Sequence, residues 1–330
     1  MNILFYCPFK FDIRKKNLTK LGGIENLNYE LCNNLSKTKF KIYLATNCKK
    51  IIKVKRLTNI PINKLINKTN KFKFDIIVSS NDTEIFDYYK YSKKILWLHN
   101  TLSIEKALRK KRLYSIFKHK INAVFVSKYL ESTTSKIYNF KSRIVIPNFL
   151  DKKFENLKLN IKRKPIIVWS VQRSLGLDET IKIWIKKIYL LNPSAELHIF
   201  AIKKYKDENF YKNYNIFFHG RVSKQTLIKY YSEATAMICL GYDETFCINI
   251  IEAFACGLPV ITFGFTAVSE LVNNKNSFKM NNFNDFEKII FNILNMKNFK
   301  RKDYINYCYE YSKRYHLKKI LPLWKKIIRS

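Results

Sequence analysis

Two glutamates at a short spacing are the first residues in this sequence that could do chemistry. Glu244 and Glu252 stand eight positions apart within residues 241–270, GYDETFCINIIEAFACGLPVITFGFTAVSE. Three of the seven glycines of the chain fall in the same stretch. Two carboxylates at the mouth of one crevice can accept hydrogen bonds from the hydroxyl groups of a ligand. The spacing alone also fits a helix with two incidental surface glutamates.

The residues around the pair predict a loop that leads into a helix. Gly241 ends a predicted strand, and Asp243 or Thr245 is a candidate N-cap, because short polar side chains satisfy the first N–H groups of a helix. The backbone from Phe246 to Ile248 would then present N–H groups that suit a diphosphate. Gly257-Leu258-Pro259 is expected to end the helix and start the next strand.

The elements that must position these residues alternate between short apolar runs and amphipathic stretches. In 24–35, leucines at a spacing of three to four residues predict a helix with one apolar stripe. Short Ile- and Val-rich runs separated by such helices indicate parallel strands that are buried on both faces. The runs are 2–7, 40–46, 74–80, 94–99, 123–127 and 142–148 in the first half, and 165–170, 195–201, 215–220, 235–241 and 258–264 in the second.

The length and the linker predict two doubly wound α/β domains. A chain of 330 residues exceeds a typical single core. Pro147-Asn148 and the charged segment 152–164 mark the expected boundary. Ligands lie at the carboxyl ends of parallel strands, where glycine allows close approach of a ligand. Nearly all glycines of this chain fall where a predicted strand gives way to a loop or where a helix begins or ends. The seven glycines are Gly22, Gly23, Gly176, Gly220, Gly241, Gly257 and Gly264.

A longer motif contains the glutamate pair. E-T-F-x-I-x-x-x-E-A-x-A-C-G-x-P-V-I, followed by Glu270, resembles the signature of the family 4 glycosyltransferases. LGGIE (21–25) and the passage AVFVSKYLES … IVIPNFLD (123–151) are similar to other parts of this family. The resemblance implies the GT-B fold, with two Rossmann-like domains facing a central cleft. The expected domains are an acceptor domain (1–155), a nucleotide-sugar domain (156–315) and a C-terminal helix (316–330) that folds back on the first.

The resemblance also implies roles for individual residues. Glu244 matches the glutamate that contacts the donor sugar, and Glu252 matches the one that holds the ribose hydroxyls. Arg173 is at the basic position that neutralises the leaving phosphate, and His99 is expected near the reacting sugar. The remaining residues expected to bind the nucleotide sugar are Gly22, Gly23, Phe246, Cys247, Ile248, Gly220 and Arg221. For His99, the alternative of a histidine that merely caps a strand end stays open.

The family chemistry implied is a retaining transfer from a UDP-, GDP- or ADP-sugar, without a metal or another cofactor. The acceptor would be a glycan or a lipid-linked sugar in cell-surface glycan assembly. This fits a sequence without a D-x-D metal motif. Hydrolysis or epimerisation of the nucleotide sugar is an alternative on the same fold.

Three positions depart from the family pattern. Cys247 stands where the family usually has glycine, Leu175 where it has a basic residue, and Phe149 where it has the glycine after asparagine. Arg173 is the one basic residue of its passage, whereas a typical site pairs an arginine with a lysine on the diphosphate. A catalytically weak homologue is therefore an alternative interpretation.

The composition bears on the compartment of the protein and on the classes of partner it could bind. Seven cysteines without CxxC spacing indicate a reducing compartment without disulfides or structural zinc, and the sequence is expected to be cytoplasmic. A net charge of +37 favours anionic partners; compositional bias explains it equally well. Nucleic-acid binding is a remote alternative, because no nucleic-acid-binding motif appears and the aromatic residues lie mostly inside apolar runs.

The segment 106–121, KALRKKRLYSIFKHKI, is strongly basic. It contains seven Lys or Arg residues and no acid. Leu108, Leu113, Ile116, Phe117 and Ile121 are expected on one helical side, so the segment predicts a basic amphipathic helix at an anionic membrane surface. An ordinary helix that packs its apolar side on the sheet is the alternative.

Overall fold

The computed structural model describes residues 1–14, 21–67, 71–103, 112–171, 175–200 and 207–330, the side chains of Arg112 and Leu113 excepted. Two compact units divide the chain. The N-terminal unit consists of Met1–Asp151 and Leu317–Ser330, and the C-terminal unit of Lys152–His316. The division therefore falls after Asp151, where the sequence predicts it at residue 155.

The N-terminal unit is built on an eight-stranded sheet with the order β3-β4-β2-β1-β5-β6-β7-β8. All pairs are parallel except β3 with β4. The strands are β1 (Asn2–Tyr6), β2 (Lys41–Thr46), β3 (Ile52–Val54), β4 (Leu57–Pro61), β5 (Ile76–Ser80), β6 (Lys93–Leu98), β7 (Ile121–Phe125) and β8 (Ser142–Val145).

The apolar runs become the core of this sheet. The five residues of β5 and the five of β7 are all buried, as expected for central parallel strands covered on both faces. The helices are α1 (Gly23–Leu35), α2 (Arg112–Lys118), α3 (Lys128–Thr133) and α11 (Leu317–Arg329). In α11, the Trp324 ring packs edge-on against Trp97 of β6 at 4.7 Å between centroids. The C-terminal helix thus shares the core of the N-terminal unit.

The C-terminal unit is built on a six-stranded parallel sheet with the order β11-β10-β9-β12-β13-β14. Its strands are β9 (Ile166–Trp169), β10 (Glu196–Phe200), β11 (Ile216–Gly220), β12 (Ala236–Ile238), β13 (Val260–Thr262) and β14 (Ser277–Lys279). Its helices are α4 (Leu177–Ile183), α5 (Tyr189–Leu191), α6 (Glu208–Lys212), α7 (Lys224–Glu233), α8 (Ile248–Ala255), α9 (Asn284–Leu294) and α10 (Asn298–Ser312), with a π-helical turn (Trp184–Ile188) between α4 and α5.

One half-buried arginine holds the ends of α7 and α8. The Arg163 guanidinium donates to the carbonyl oxygens of Tyr231 (2.7 Å) and Cys256 (2.8 Å). These carbonyls lie at the carboxyl ends of the two helices, where orphan acceptors need partners. Burial lowers the pKa of Arg163 to about 10, so it remains a cation at neutral pH. It fixes the two helices that carry the candidate site.

Some elements differ from those that the apolar runs predict. The sequence does not predict the strands β3, β4 and β14, because β3 and β14 have only three residues and polar residues interrupt the apolar ones of β4. The helix predicted for 106–121 is wrong at its carboxyl end, because Ile121 begins β7. Residues 106–111 of that prediction lie outside the described residues. Phe117 is 52% exposed whereas Ile116 is buried, so the two do not share one apolar side.

Among the described residues, no helix is both long and apolar enough to cross a membrane. All seven cysteines are free thiols, and only Cys48 is not buried.

Candidate functional site

Glu244 lies in the loop between β12 and α8, and backbone hydrogen bonds hold that loop in place. The Thr266 hydroxyl donates to the carbonyl oxygen of Gly241 at 2.8 Å and accepts from the Glu244 N–H at 3.3 Å. The Glu244 carbonyl oxygen accepts from the Ala267 N–H at 3.3 Å. Gly241 has a φ of +86°, and a Cβ there would lie 3.2 Å from the Phe265 nitrogen. The half-buried Glu244 is therefore presented from a fixed turn at the carboxyl end of β12.

Glu252, two turns into α8, is only 1% exposed. Its Oε1 is bonded to the Nζ of Lys224, the first residue of α7, whose side chain is 34% exposed. Ser223 caps α7, since its hydroxyl accepts from the Thr226 N–H at 3.1 Å. The same Nζ lies 5.4 Å from the ring centroid of Phe154. The second carboxylate of the pair is thus a buried charge with a cation beside it, and the prediction of two carboxylates at one open mouth is corrected for Glu252.

A polar cluster lies next to Glu252. The hydroxyls of Ser170, directly after β9, and Tyr231 of α7 are hydrogen-bonded to each other. The Asn249 side chain donates to the Ser170 carbonyl oxygen. Burial and then the nearby carboxylate of Glu252 raise the pKa of Tyr231 well above its ordinary value, so its hydroxyl stays protonated. A neutral Tyr231 hydroxyl thus lies near the carboxylate of Glu252, which pairs with Lys224.

The start of α8 differs from the predicted cap. Cys247 is the N-cap, without a side-chain cap hydrogen bond, so neither Asp243 nor Thr245 caps the helix. Cys247 has a φ of +64°, the left-handed region that favours glycine. Its Sγ lies 3.4 Å from the Sγ of Cys239 in β12's continuation, and the thiol is buried. Phe246 is buried and Ile248 half-buried beside it. The backbone at this helix start keeps a glycine-like turn although the residue is cysteine.

The loop after β9 meets the end of β12. Gly176 has a φ of +84° and is the N-cap of α4. A Cβ on Gly176 would lie 2.3 Å from Cδ1 of Leu240, so only glycine fits this contact. Leu175 is 55% exposed. Arg173 lies outside the described residues, and the structure says nothing of its side chain.

Gly220 ends β11 and Arg221 follows it, at the same carboxyl edge but separated from β12 by β10 and β9. Gly220 has a φ of +60°, and Arg221 is exposed. Nε2 of His219 lies 2.8 Å from Nδ1 of His198. Burial and then the neighbouring His198 lower the pKa of His219 to about 4, so the ring is neutral at physiological pH. His219 is thereby part of the packing between β10, β11 and α7.

The remaining predicted residues lie in the N-terminal unit. Gly22 is the N-cap of α1, and Gly23 begins that helix. A Cβ on Gly22 would lie 2.4 Å from a carboxylate oxygen of Glu25, which packs over it. His99 follows β6, and its backbone N–H donates to Oδ1 of Asn81 at 2.7 Å. Burial lowers the pKa of the His99 ring to about 3, so it is a neutral imidazole.

The structure thus brings together, within the C-terminal unit, Glu244, Glu252, Cys247 and Gly176 around β9 and β12. Sequence reasoning missed Lys224 and Thr266, whose roles arise from contacts between elements distant in the chain. Thr266 lies in the stretch first quoted, but a threonine there carries no signal of its own. Among the described residues, no group of three or more His, Cys, Asp or Glu side chains is placed to hold a metal.

Comparisons with known proteins agree with this architecture. Residues 151–311 match the family described as glycosyl transferases group 1. No curated protein matches the chain. Similar solved structures include sucrose-phosphate synthase from Thermosynechococcus elongatus, with a TM-score of 0.72, 15% identity, and 99% of this chain and 98% of that chain covered.

Two further structures are similar over nearly the whole chain. WaaG, a glycosyltransferase involved in lipopolysaccharide biosynthesis, has a TM-score of 0.69 at 13% identity and covers 99% of each chain. HepE from Anabaena, solved in complex with UDP-glucose, has a TM-score of 0.69 at 12% identity and covers 100% of this chain and 99% of that chain. At such identities the likeness shows the fold, which is GT-B.

Proposed function

We propose that this protein is a retaining glycosyltransferase that transfers a sugar from a nucleoside diphosphate to a hydroxyl group of a glycan or lipid-linked acceptor. The match of residues 151–311 to the group 1 glycosyl transferases supports the proposal. The observation that carries the proposal is the arrangement at the carboxyl edge of β12, where half-buried Glu244 precedes the uncapped start of α8 and buried Glu252 follows within the helix. An uncapped helix start favours a diphosphate, and carboxylates favour sugar hydroxyls.

In the proposed reaction the bond between the sugar C1 and the phosphate oxygen breaks. The acceptor oxygen bonds to C1 from the same face, and the departing phosphate takes the hydroxyl proton. No metal is involved. The N–H groups at 246–248 would stabilise the developing charge on the diphosphate, since preorganised donors act most strongly where charge develops. Glu244 would orient the donor sugar, and Glu252 the ribose. We assign Arg173 to the leaving phosphate, and Gly22, Gly23, Gly220 and Arg221 to further contacts with the nucleotide sugar.

The neutral ring of His99 suits a hydrogen-bonding role toward the sugar. With a pKa of about 3, it cannot carry a proton as an acid at neutral pH. A neutral imidazole still offers one donor and one acceptor. His99 is therefore proposed to orient a sugar hydroxyl rather than to protonate a leaving group.

We further propose that the acceptor belongs to cell-surface glycan assembly and that the enzyme works in the cytoplasm, at the inner face of the membrane. Similar structures include WaaG, involved in lipopolysaccharide biosynthesis, and the lipopolysaccharide outer core galactosyltransferase WaaB. The helix α2 supports membrane contact: Tyr114 is 71% exposed and Phe117 52% exposed, beside Lys118. Exposed aromatic rings among lysines are typical of interfacial helices.

Thermal unfolding with nucleotides tests the donor site. The wild type, Glu252→Gln and Glu233→Gln would each be heated with UDP, GDP, ADP and their sugars. Glu233 is the matched control, since it forms an ion pair with Lys164 at 2.7 Å on the other end of α7. A ligand at a hundred times its Kd stabilises by about 2.7 kcal/mol. We expect one nucleotide to stabilise the wild type and Glu233→Gln but not Glu252→Gln.

Product analysis then separates the reactions. With the donor identified, NMR of the product with acceptor present should show the anomeric configuration of the donor retained, in the presence of a chelator. Free sugar or an epimer formed equally well without acceptor would indicate hydrolysis or epimerisation. The absence of any stabilisation by nucleotides would favour the catalytically weak homologue. Steeply salt-dependent binding of DNA in its place would favour the nucleic-acid alternative.

A further inference from the structure

The N-terminal unit contains a second candidate binding site at the opposite edge of its sheet. A cavity of about 840 Å³ opens where β6, β7 and β8 begin. A volume of this size is in the usual range for a small-molecule site. His99, by contrast, follows the last residue of β6, and six strand residues at about 3.3 Å each separate the two edges by roughly 20 Å. The cavity is therefore distinct from the residues to which the sugar-transfer reaction is assigned.

The cavity wall is strongly basic. Six of its lining residues are lysines: Lys90, Lys93, Lys94, Lys118, Lys120 and Lys141. Asp87 is the one acidic side chain among the lining residues that the structure describes, and its Oδ1 is already 2.8 Å from His119 Nε2 and 3.3 Å from Lys118 Nζ. The wall thus holds several positive charges in excess of its negative ones.

Two of these lysines are built into the floor. Lys94 is 5% exposed, and its Nζ donates to the carbonyl oxygens of Lys90 (2.9 Å) and Ser92 (3.2 Å). Lys93 donates to the carbonyl oxygen of Ile327 and to the Ser330 hydroxyl at the end of α11. An ammonium group has three N–H donors, so these neutral partners leave both the positive charge and donor capacity for a ligand.

Their electrostatic state supports this view. Burial lowers the pKa of Lys94 and of Lys93, and Lys141 lowers the pKa of Lys93 further. The positive charges are crowded and partly removed from water, so a bound anion would relieve both costs. Stabilising the carboxyl end of α11 explains Lys93 by itself. That role does not explain Lys90 or Lys141, which line the same cavity and lie just before β6 and β8.

From these observations we propose that the cavity at the amino edge of the N-terminal sheet binds a ligand with two or more adjacent phosphate groups. None of the described residues that line the cavity is an arginine. Arginine favours planar carboxylates through paired hydrogen bonds, whereas lysine acts as a point charge that suits phosphate oxygens. Each phosphate group carries up to about two negative charges, so a polyphosphate matches six lysines better than a single carboxylate does.

Calorimetric titration with inorganic tripolyphosphate at physiological ionic strength tests the proposal. Lys90→Gln/Lys141→Gln removes two exposed charges of the wall. Lys49→Gln/Lys53→Gln is the matched control, since it removes two exposed charges of the same unit outside the cavity. Each lost charge-assisted hydrogen bond weakens binding by about tenfold or more. We expect the first pair to weaken binding by at least about tenfold and the control pair to leave it within about twofold.

Lys94→Met is the sharper variant, with its fold checked by circular dichroism and thermal unfolding. Lys90 and Lys141 are exposed, so their double variant should fold normally. The proposal can therefore be tested even if Lys94→Met does not fold. The wild type, the two double variants and Lys94→Met share the same C-terminal unit. Any tripolyphosphate bound there is the same in all four proteins, so differences in affinity between them report on the cavity. Equal weakening by both surface pairs, or none by either, would overturn the proposal.

A second arm identifies the source of the phosphate. Vesicles of phosphatidylglycerol and of phosphatidylcholine would be sedimented with the same four proteins. Binding to phosphatidylglycerol that is lost only in the cavity variants, without tripolyphosphate binding, would overturn the polyphosphate proposal in favour of a membrane surface that presents single phosphates. Tripolyphosphate binding that is lost in the cavity variants assigns it to a soluble ligand. Failure of both probes to bind the wild type rejects the site, whatever the outcome of the sugar-transfer assays.

Discussion

Lys224 and Glu252 form an ion pair between the first residue of α7 and the middle of α8, and the two partners differ in burial. The Glu252 side chain is 1% exposed and the Lys224 side chain 34%. Removing either partner therefore has a different consequence. A carboxylate left inside cannot reach water, whereas an ammonium group left at the rim can turn outward.

Lys224→Met should destabilise the fold more than Glu252→Gln. Losing the cation beside a buried carboxylate costs about 3 kcal/mol, whereas Glu252→Gln leaves a lysine that can be hydrated and costs about 1 kcal/mol. Urea unfolding of both variants measures the difference. Lys187→Met is the control, since Lys187 pairs with Glu287 on the surface of the same unit and its loss should change little. Equal costs for the two site variants would contradict the buried pairing.

Cys247→Gly should strengthen nucleotide binding without loss of stability. At a φ of +64°, glycine relieves the backbone cost of about 1 kcal/mol that cysteine bears there, while the lost contact with Cys239 and the freer unfolded chain offset that gain. Removing the side chain also lets a phosphate approach the start of α8. Cys247→Ala is the control, because it loses the sulfur and keeps the Cβ. Titration with the nucleotide that stabilises the wild type measures the effect. Equal affinity in the glycine and alanine variants would rule out a role for the Cβ.

The fold and the position of Glu244 could be predicted because they depend on local patterns. Continuous apolar runs became parallel strands, as in β5, and the motif at 244–261 placed one carboxylate at the end of a strand. The family comparison confirms the resemblance that these motifs suggested, and the similar structures confirm the GT-B fold.

Contacts between distant elements could not be predicted. Nothing in the residues near Lys224 indicates that it meets Glu252, since that contact depends on how α7 and α8 pack. The cap of α8 was predicted at Asp243 or Thr245 from side-chain chemistry, but the chain reaches the helix through a left-handed turn at Cys247. The lysine cavity of the N-terminal unit arises in the same way, because three strands begin beside one helix end.

Gly176→Ala should destabilise the protein more than Gly22→Ala. At Gly176 the left-handed backbone costs about 1–2 kcal/mol for any residue with a Cβ, and the new atom meets buried Leu240. At Gly22 the φ is −73° and the contact is the end of the Glu25 side chain, which can move. Thermal unfolding compares the two variants. A larger loss for Gly22→Ala would show that Glu25 is held rigidly in place.

Stability should fall as the pH is lowered from about 7 to about 5, in part because of His99. Its folded pKa of about 3 lies below the value of about 6.5 expected in the unfolded chain. Between these values the unfolded state binds more protons, so the contribution of His99 is complete above about pH 6.5 and declines as the pH falls. His219, with a pKa of about 4, acts in the same direction. Urea unfolding across this range should give a shallower pH dependence for His99→Gln than for the wild type, and a still shallower one when His219→Gln is added. A slope unchanged in both variants would mean that other titratable groups set the pH dependence. A slope lowered by His219→Gln but not by His99→Gln would show that burial does not lower the pKa of the His99 ring.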